Sequence, residues 1–244
     1  MKICIDTHTH SVVSGHAYST IDDLARGARK RGLKGFVLTD HGPAMPGGPH
    51  SYHFSNLRIL PAKIQGVLFF RGAETNIMND QGGLDLGLVY CKRLDFVMAG
   101  FHEVCFGSQG REKNTHALIA ALANPLVDGI SHPGNPAFPI DIEAVVKAAA
   151  QYGKTLEINN SSFRIRPGSE ENCRLVASLS VQYGSLLSCG SDAHYWEDVG
   201  NFAKAKALLE DVGVPPELVI NSSLERFRAF VEKRRAERGE LSAG

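Results

Sequence analysis

Lys2-Ile3-Cys4-Ile5-Asp6-Thr7-His8-Thr9-His10 is an apolar run that ends in His-Thr-His. Side chains alternate along a strand, so His8 and His10 share a face, about 7 Å apart along the chain. Imidazole nitrogens bind metal at roughly 2.0–2.1 Å, so such a pair can grip one ion. Taken alone, the pair more often means two hydrogen-bonded histidines at a strand end. The fold is decided by recurrence: strand after strand, an apolar run ends in a histidine or a carboxylate.

Residues 35–39 run into Asp40-His41, 67–73 into Glu74, 96–100 into Phe101-His102, 129–131 into His132, and 186–190 into Asp192 and His194. Residues 155–159 read as a further strand. Helical spacing with caps places helices over 21–31 (Thr20 with Asp23), from Asn114 or Thr115 to Ala123, from Asp141 to Tyr152, and from Ser169 to Tyr183. Others are placed over 199–212 and 224–238, with a short one around 55–60. Residues 42–53 read as a loop, 79–83 as a hairpin turn between short strands, 219–220 as a short segment and the tail past Gly239 as frayed. Strand, loop and helix repeat about seven times with no linker, internal repeat or low-complexity tract. That argues for one α/β domain over residues 1–244, with parallel strands in a barrel or an open doubly wound sheet.

The 244 residues suffice for a sizeable core, and a net charge of zero gives no global reason to expect nucleic acid or an anionic membrane. Five scattered cysteines without a C-x-x-C spacing read as reduced thiols of a cytoplasmic protein. No signal peptide and no membrane-spanning run is read. The basic run Glu232-Lys233-Arg234-Arg235, with Glu237 and Arg238 beyond it, is expected to be a solvated helix face.

In parallel α/β folds the C-terminal ends of all strands meet at one end. His8, His10, His41, Glu74, His102, His132, Asp192 and His194, with His16 from the first loop, should therefore converge. They include seven of the ten histidines. Imidazoles and carboxylates suit Zn, Mn or Fe. Nine ligands are too many for one ion, but three ions sharing a carboxylate such as Glu74 would use them. Three divalent ions outweigh two carboxylates, so the site stays positive and favours an anion whose oxygens bridge metals, such as phosphate. His116 is expected at the surface. His50 and His53 lie in a loop that could close over the site.

These residues resemble the PHP (polymerase and histidinol phosphatase) superfamily. The matching pieces are His8-Thr9-His10, Thr39-Asp40-His41, Gly72-Ala73-Glu74, Gly100-Phe101-His102, Ser131-His132-Pro133 and Ser191-Asp192-Ala193-His194. The stretches around 99–103, 130–136 and 156–163 resemble the stand-alone YcdX-type bacterial phosphatases. The resemblance implies a distorted (β/α)7 barrel, TIM-barrel-like, with three divalent ions, zinc before manganese or iron. It implies one ion on His8, His10, Glu74 and Asp192, a second on His16, His41 and His194, and a third on Glu74, His102 and His132. It also suggests a homo-oligomer such as a trimer.

The leading expectation is a metal-dependent phosphomonoesterase acting on a small phosphorylated substrate, with metal-bound hydroxide as nucleophile. Asp192, Glu74 and His194 are the expected catalytic residues. Asp40 could orient ligands, and Arg164 and Arg166 could clamp phosphate. A phosphodiesterase or exonuclease is the alternative, against which stands the lack of a basic stripe with aromatics. A non-catalytic metal-binding module is the third reading.

Overall fold

A computed structural model describes residues 1–241. Seven parallel strands, β1 (Ile5–Thr9), β2 (Gly35–Leu38), β4 (Val67–Asn76), β5 (Phe96–Gly100), β6 (Gly129–Ile130), β7 (Thr155–Asn159) and β8 (Leu186–Gly190), neighbour one another in chain order. The two-residue β3 (Lys63–Ile64) pairs antiparallel with the start of β4. The sheet curls into a barrel, not an open doubly wound sheet. Thr9 pairs with Ala193 just past β8. Asn221 fills the seam between β1 and β8, donating to Ile5 O at 2.8 Å and Cys189 O at 2.7 Å.

The helices mostly follow their expected caps. Helix α1 (Ile21–Lys30) carries a complete capping box between Thr20 and Asp23, and α5 (Ile142–Tyr152) is capped by Asp141 and ends at Gly153 in the left-handed region. Each such cap contributes about 1 kcal/mol. Helix α2 (Tyr52–Asn56) starts earlier than expected and passes into a 3-10 turn, Leu57–Ile59. Helix α3 (Leu88–Cys91) was not expected.

Helix α4 (Arg111–Ala123) begins a turn before Asn114. The Asn114 side chain instead pins the preceding loop, accepting from Gln109 N and donating to Ser108 Oγ, both at 3.0 Å. A short α6 (Ser162–Ile165) precedes α7 (Ser169–Tyr183), which starts at Ser169 itself. Helix α8 (Ala203–Asp211) starts later than expected, because Gly200 takes a left-handed conformation (φ 75°) within the expected first turn. The turn at 79–83 is held by a single bridge, Ile77 to Leu84, not by flanking strands.

Most of the core lies between the sheet and its helices, where Phe36, Leu38, Val97, Ile130, Leu156 and Leu187 are buried. A second cluster fills the lower barrel interior: Ile5, Val37, Phe96 and Met98 pack with Phe227 and Val231 of α9 (Leu224–Gly239). Helix α9 thus plugs the end of the barrel where the strands begin. Each large buried side chain contributes roughly 1.5–3 kcal/mol.

The basic run on α9 departs from the expected solvated face. Arg234 and Arg238 are buried. Both bond to Asp128, which stands just before β6. Arg235 bonds to Asp95, just before β5, at 2.8 Å. Arg234, Arg235 and Arg238 cross the barrel floor and meet carboxylates that precede the strands, while Lys233 lies on an exposed face as expected. Glu240 and Leu241 still hydrogen-bond back into the helix; residues 242–244 of the expected frayed tail lie outside the described residues.

One irregularity sets the site. Between Asp6 and Thr9 the register of β1 against β2 shifts by one residue. Ile5 faces the barrel interior, and simple alternation would turn His8 and His10 outward. The bulge re-aims them inward.

Candidate metal centre

All nine expected residues meet at the end of the barrel where the strands finish. His8, His10, Glu74 and Asp192 are buried around one point. His8 Nε2 lies 3.0 Å from His10 Nε2, 3.2 Å from Glu74 Oε2 and 3.6 Å from Asp192 Oδ1. His10 Nε2 lies 3.5 Å from Glu74 Oε2 and 3.4 Å from Asp192 Oδ1. Ligands at roughly 2.0–2.1 Å in a tetrahedron stand about 3.3 Å apart. These five separations match that geometry.

Glu74 faces two sets of imidazoles. Its Oε2 lies 2.9 Å from His41 Nδ1 as well as near His8 and His10. Its Oε1 lies 2.9 Å from His132 Nε2 and 3.4 Å from His102 Nε2. His16 is at the outer edge, its ring 5.0 Å from His41 and 4.8 Å from His194 between centroids.

The tautomers are fixed from behind. His8 Nδ1 donates to Glu157 Oε1 at 2.8 Å, and His102 Nδ1 to Asn76 Oδ1 at 2.7 Å. His10 Nδ1 donates to Ser14 Oγ at 3.1 Å, and that hydroxyl donates to Asp40 Oδ1 at 2.8 Å. His194 Nδ1 donates to the Asp192 carbonyl at 3.1 Å. A proton held on Nδ1 leaves the Nε2 lone pair for a metal. At the front, His41 Nδ1, Glu74 Oε2 and His102 Nε2 are buried and make no aligned hydrogen bond, although His41 Nδ1 stands 2.9 Å from Glu74 Oε2 and His102 Nε2 3.4 Å from Glu74 Oε1. Leaving such atoms unpaired is costly, and a divalent ion is the group that would satisfy all three. The donor set therefore fits divalent metal.

The charges are strongly coupled. Burial disfavours ionised Glu74, but His8, His102 and His41 outweigh it and hold its carboxyl well below the usual range. Asp192 behaves likewise, against burial, through His8, His10 and Arg166. Burial, then the neighbouring His41 and His194, keeps His10 well below the ordinary imidazole value. Burial, then Arg166, lowers His132 to about 4. Against burial, the charges of Glu157, Glu74 and Asp192 raise His8 well above the ordinary imidazole value, so His8 would give up a proton on binding metal, while His10 and His132 already stand neutral beside ionised carboxylates.

Two glycines make the room. A Cβ on Gly100 would stand 2.1 Å from Ser131 Oγ and 3.2 Å from Glu74 Oε1. One on Gly190 would stand 2.2 Å from Glu157 Oε1 and 2.6 Å from the His8 Cβ. His132 (φ 35°) and Asp192 (φ 55°) adopt left-handed backbone conformations, which Gln65 alone shares among the described non-glycine residues. Such strain collects where surrounding structure forces a side chain into position.

Several functional neighbours escaped the sequence reading. Glu157 ties His8 to the backbone N–H of His132 (2.9 Å) and to Asn159 (3.0 Å). Asp85 accepts from Asn76 N at 2.8 Å and so steadies the residue behind His102. Glu157 and Asn159 occupy alternate positions on β7, flanking Ile158, and that polar pair on one face of a buried strand is the available signal. Asp40 lies behind the cluster, joined to His10 through Ser14, and His53 reaches Asp40 at 3.1 Å, not the cluster. His50 packs on Tyr52, and His116 is exposed as expected. Arg166 reaches Asp192 Oδ2 at 3.3 Å; Arg164 is exposed and points to Asp198. The five thiols are unpaired, and burial pushes Cys91 and Cys173 up to about 12.

Fold and site together define a parallel α/β barrel with a histidine–carboxylate cluster at the strand C-termini, suited to divalent metal. The chain belongs to the PHP domain family, whose profile matches residues 6–161. It is 50% identical over 235 residues to a probable phosphatase of Acetivibrio thermocellus, covering 96% of this chain and 98% of that one. It is 48% identical over 235 residues to a probable phosphatase of Aeromonas salmonicida, covering 96% of each. The fold also matches histidinol phosphate phosphatase from Lactococcus lactis, solved with zinc, L-histidinol and phosphate. There the TM-score is 0.61 at 17% identity, covering 87% of this chain and 95% of that one. A chain of an archaeal ribonuclease P complex with mature tRNA matches at TM-score 0.62 and 13% identity, covering 98% and 95%. The fold is thus shared by proteins with different tasks, and the site must carry the functional argument.

Proposed function

We propose that this chain is a metal-dependent phosphomonoesterase of small molecules. The observation that carries the reading is the split environment of Glu74, each oxygen facing its own set of imidazoles. Relatives named probable phosphatases at about half identity support it. In this reading His8, His10, Glu74 and Asp192 hold one ion, His16, His41 and His194 a second, and Glu74, His102 and His132 a third. Zinc is the first choice, manganese or iron the alternatives. When bound, such ions acidify water and neutralise phosphate oxygens.

The chain's own residues do the rest. Glu157, Asn76 and the Ser14–Asp40 pair hold the imidazoles in one tautomer. Arg166 lies at the cleft edge beside Asp192, where its fork can take a phosphate oxygen. Asn159 and Arg166 hold Asp192 Oδ2, leaving Oδ1 toward His8 and His10. Among the described residues no helix is long and apolar enough to cross a membrane.

The test is hydrolysis of a generic phosphomonoester beside a phosphodiester, after zinc or manganese loading. Monoester turnover is expected. Diester cleavage without it would move the assignment to a phosphodiesterase or exonuclease; turnover of neither would make the chain a binding module.

A further inference from the structure

The cleft above the cluster holds about 520 Å³, within the range of small-molecule sites. Its floor is the imidazole–carboxylate cluster. Its upper wall is different in kind. Met45, Phe101, Val104, Ala137, Phe138 and Ile165 line it, from the same connections that carry the polar residues. Phe101 adjoins His102, and Ile165 adjoins Arg166. The Phe101 ring stacks on Phe138, with centroids 4.9 Å apart and planes 11° apart, and on Phe106 at 5.8 Å and 21°. This wall is built before a ligand arrives, so little ordering cost remains to be met on binding. Val104 and Ile165 nevertheless leave 66% and 53% of their surface in water at the mouth.

Charge on the wall is sparse. The cations lining the cleft are Arg164, leaning to Asp198 at 3.5 Å, and Arg166, leaning to Asp192. That is enough for one phosphate and poor for a polyphosphate chain. Away from the cluster the other polar groups of the lining are Glu103, Asn135 and Ser161; Asn135 Oδ1 accepts from Ala137 N at 3.1 Å and Ser161 Oγ donates to Ser191 O at 2.9 Å, which leaves few groups to pair with the hydroxyls of a sugar.

We infer that the substrate is a phosphate monoester of a compact apolar alcohol, alkyl or aryl, whose hydrocarbon part lies on the Phe101–Phe138 wall beneath Val104 and Ile165. This rests on the phosphomonoesterase reading and adds the leaving group to it. The phosphate faces the histidine cluster, and the ester oxygen marks the boundary between the two surfaces.

The test uses the full chain, metal-loaded, with n-hexyl phosphate and glycerol 1-phosphate. Glycerol is the more acidic alcohol, so chemistry alone favours the polyol ester. The expected result is a kcat/KM at least tenfold higher for the hexyl ester. In V104S and I165S, both at exposed positions the fold should tolerate, that ratio should fall severalfold. A ratio below ten, or a ratio that neither substitution moves, overturns the inference and leaves the phosphatase reading standing. Hydrolysis of neither ester, with a phosphodiester cleaved, overturns the phosphatase reading and this inference with it.

Discussion

The two ends of the barrel hold buried charges and handle them in opposite ways. At the floor, Asp128 is fully answered from within the chain. It accepts from Val97 N at 2.8 Å, from Arg234 Nε at 2.9 Å and from Arg238. Arg238 also donates to Leu94 O at 3.0 Å and Asp95 O at 3.2 Å. At the opposite end, Glu74 Oε2, His41 Nδ1 and His102 Nε2 make no aligned hydrogen bond. One end is an ion-pair network that locks α9 onto the strands, with both Asp128 oxygens answered and only Arg238 Nε of its guanidinium left without a partner. The other is held open from behind and left unsatisfied in front. The difference separates a structural cluster from a functional one better than burial or charge count, which both ends share.

Substitutions at the two ends should therefore fail in different currencies. Glu74→Gln keeps the shape but removes the shared carboxylate. Its kcat/KM should fall by about 10³-fold or more, or about 4 kcal/mol of barrel-top function, while metal-free stability changes little. Arg238→Met should do the reverse. Leaving Asp128 buried and short of a partner costs about 3–5 kcal/mol in denaturant unfolding. Activity of the molecules still folded should stay within about twofold. Equal losses of both kinds from either change would erase the distinction.

The floor also predicts a pH effect. Lys154 is only 3% exposed, and burial, then the charge of Arg234, lowers its pKa to about 8. A base lowered in this way binds its proton more weakly folded than unfolded. Its penalty is full below pH 8 and is relieved as pH rises from 8 toward the unfolded value of 10.5. Lys154→Met lacks that relief. Across this window the stability difference should move in the parent's favour by up to about 3 kcal/mol. Paired unfolding curves at the two ends of the window measure it, and a constant difference would refute it. The smallest effect belongs to Glu157→Gln, behind His8. Metal affinity, read by competition with a chelating dye, should weaken about 10–100-fold with little change in the metal-free melting temperature.

The histidine end is the legible one. His8, His41, Glu74, His102, His132 and Asp192 announce themselves because each ends a strand, and parallel strands end together. Helix caps such as Thr20 and Asp141 are local, so they too could be read. What stayed hidden depends on partners far along the chain. Arg234 and Arg238 look like a solvated face until Asp128, more than a hundred positions earlier, is known to lie beneath them. The β1 bulge is equally silent: His8 and His10 share a face in any register, and only pairing with β2 shows which face that is. Glu157 is silent for the same reason: the residue it holds, His8, lies 149 positions earlier in the chain.

The most direct test of the open end is its metal content. The protein would be loaded with zinc or manganese, freed of loosely held ions and counted by elemental mass spectrometry. The account predicts about three ions per chain, falling in Glu74→Gln and unchanged in Arg238→Met. Fewer than one ion per chain after loading, or a count that Glu74→Gln leaves intact, would contradict it.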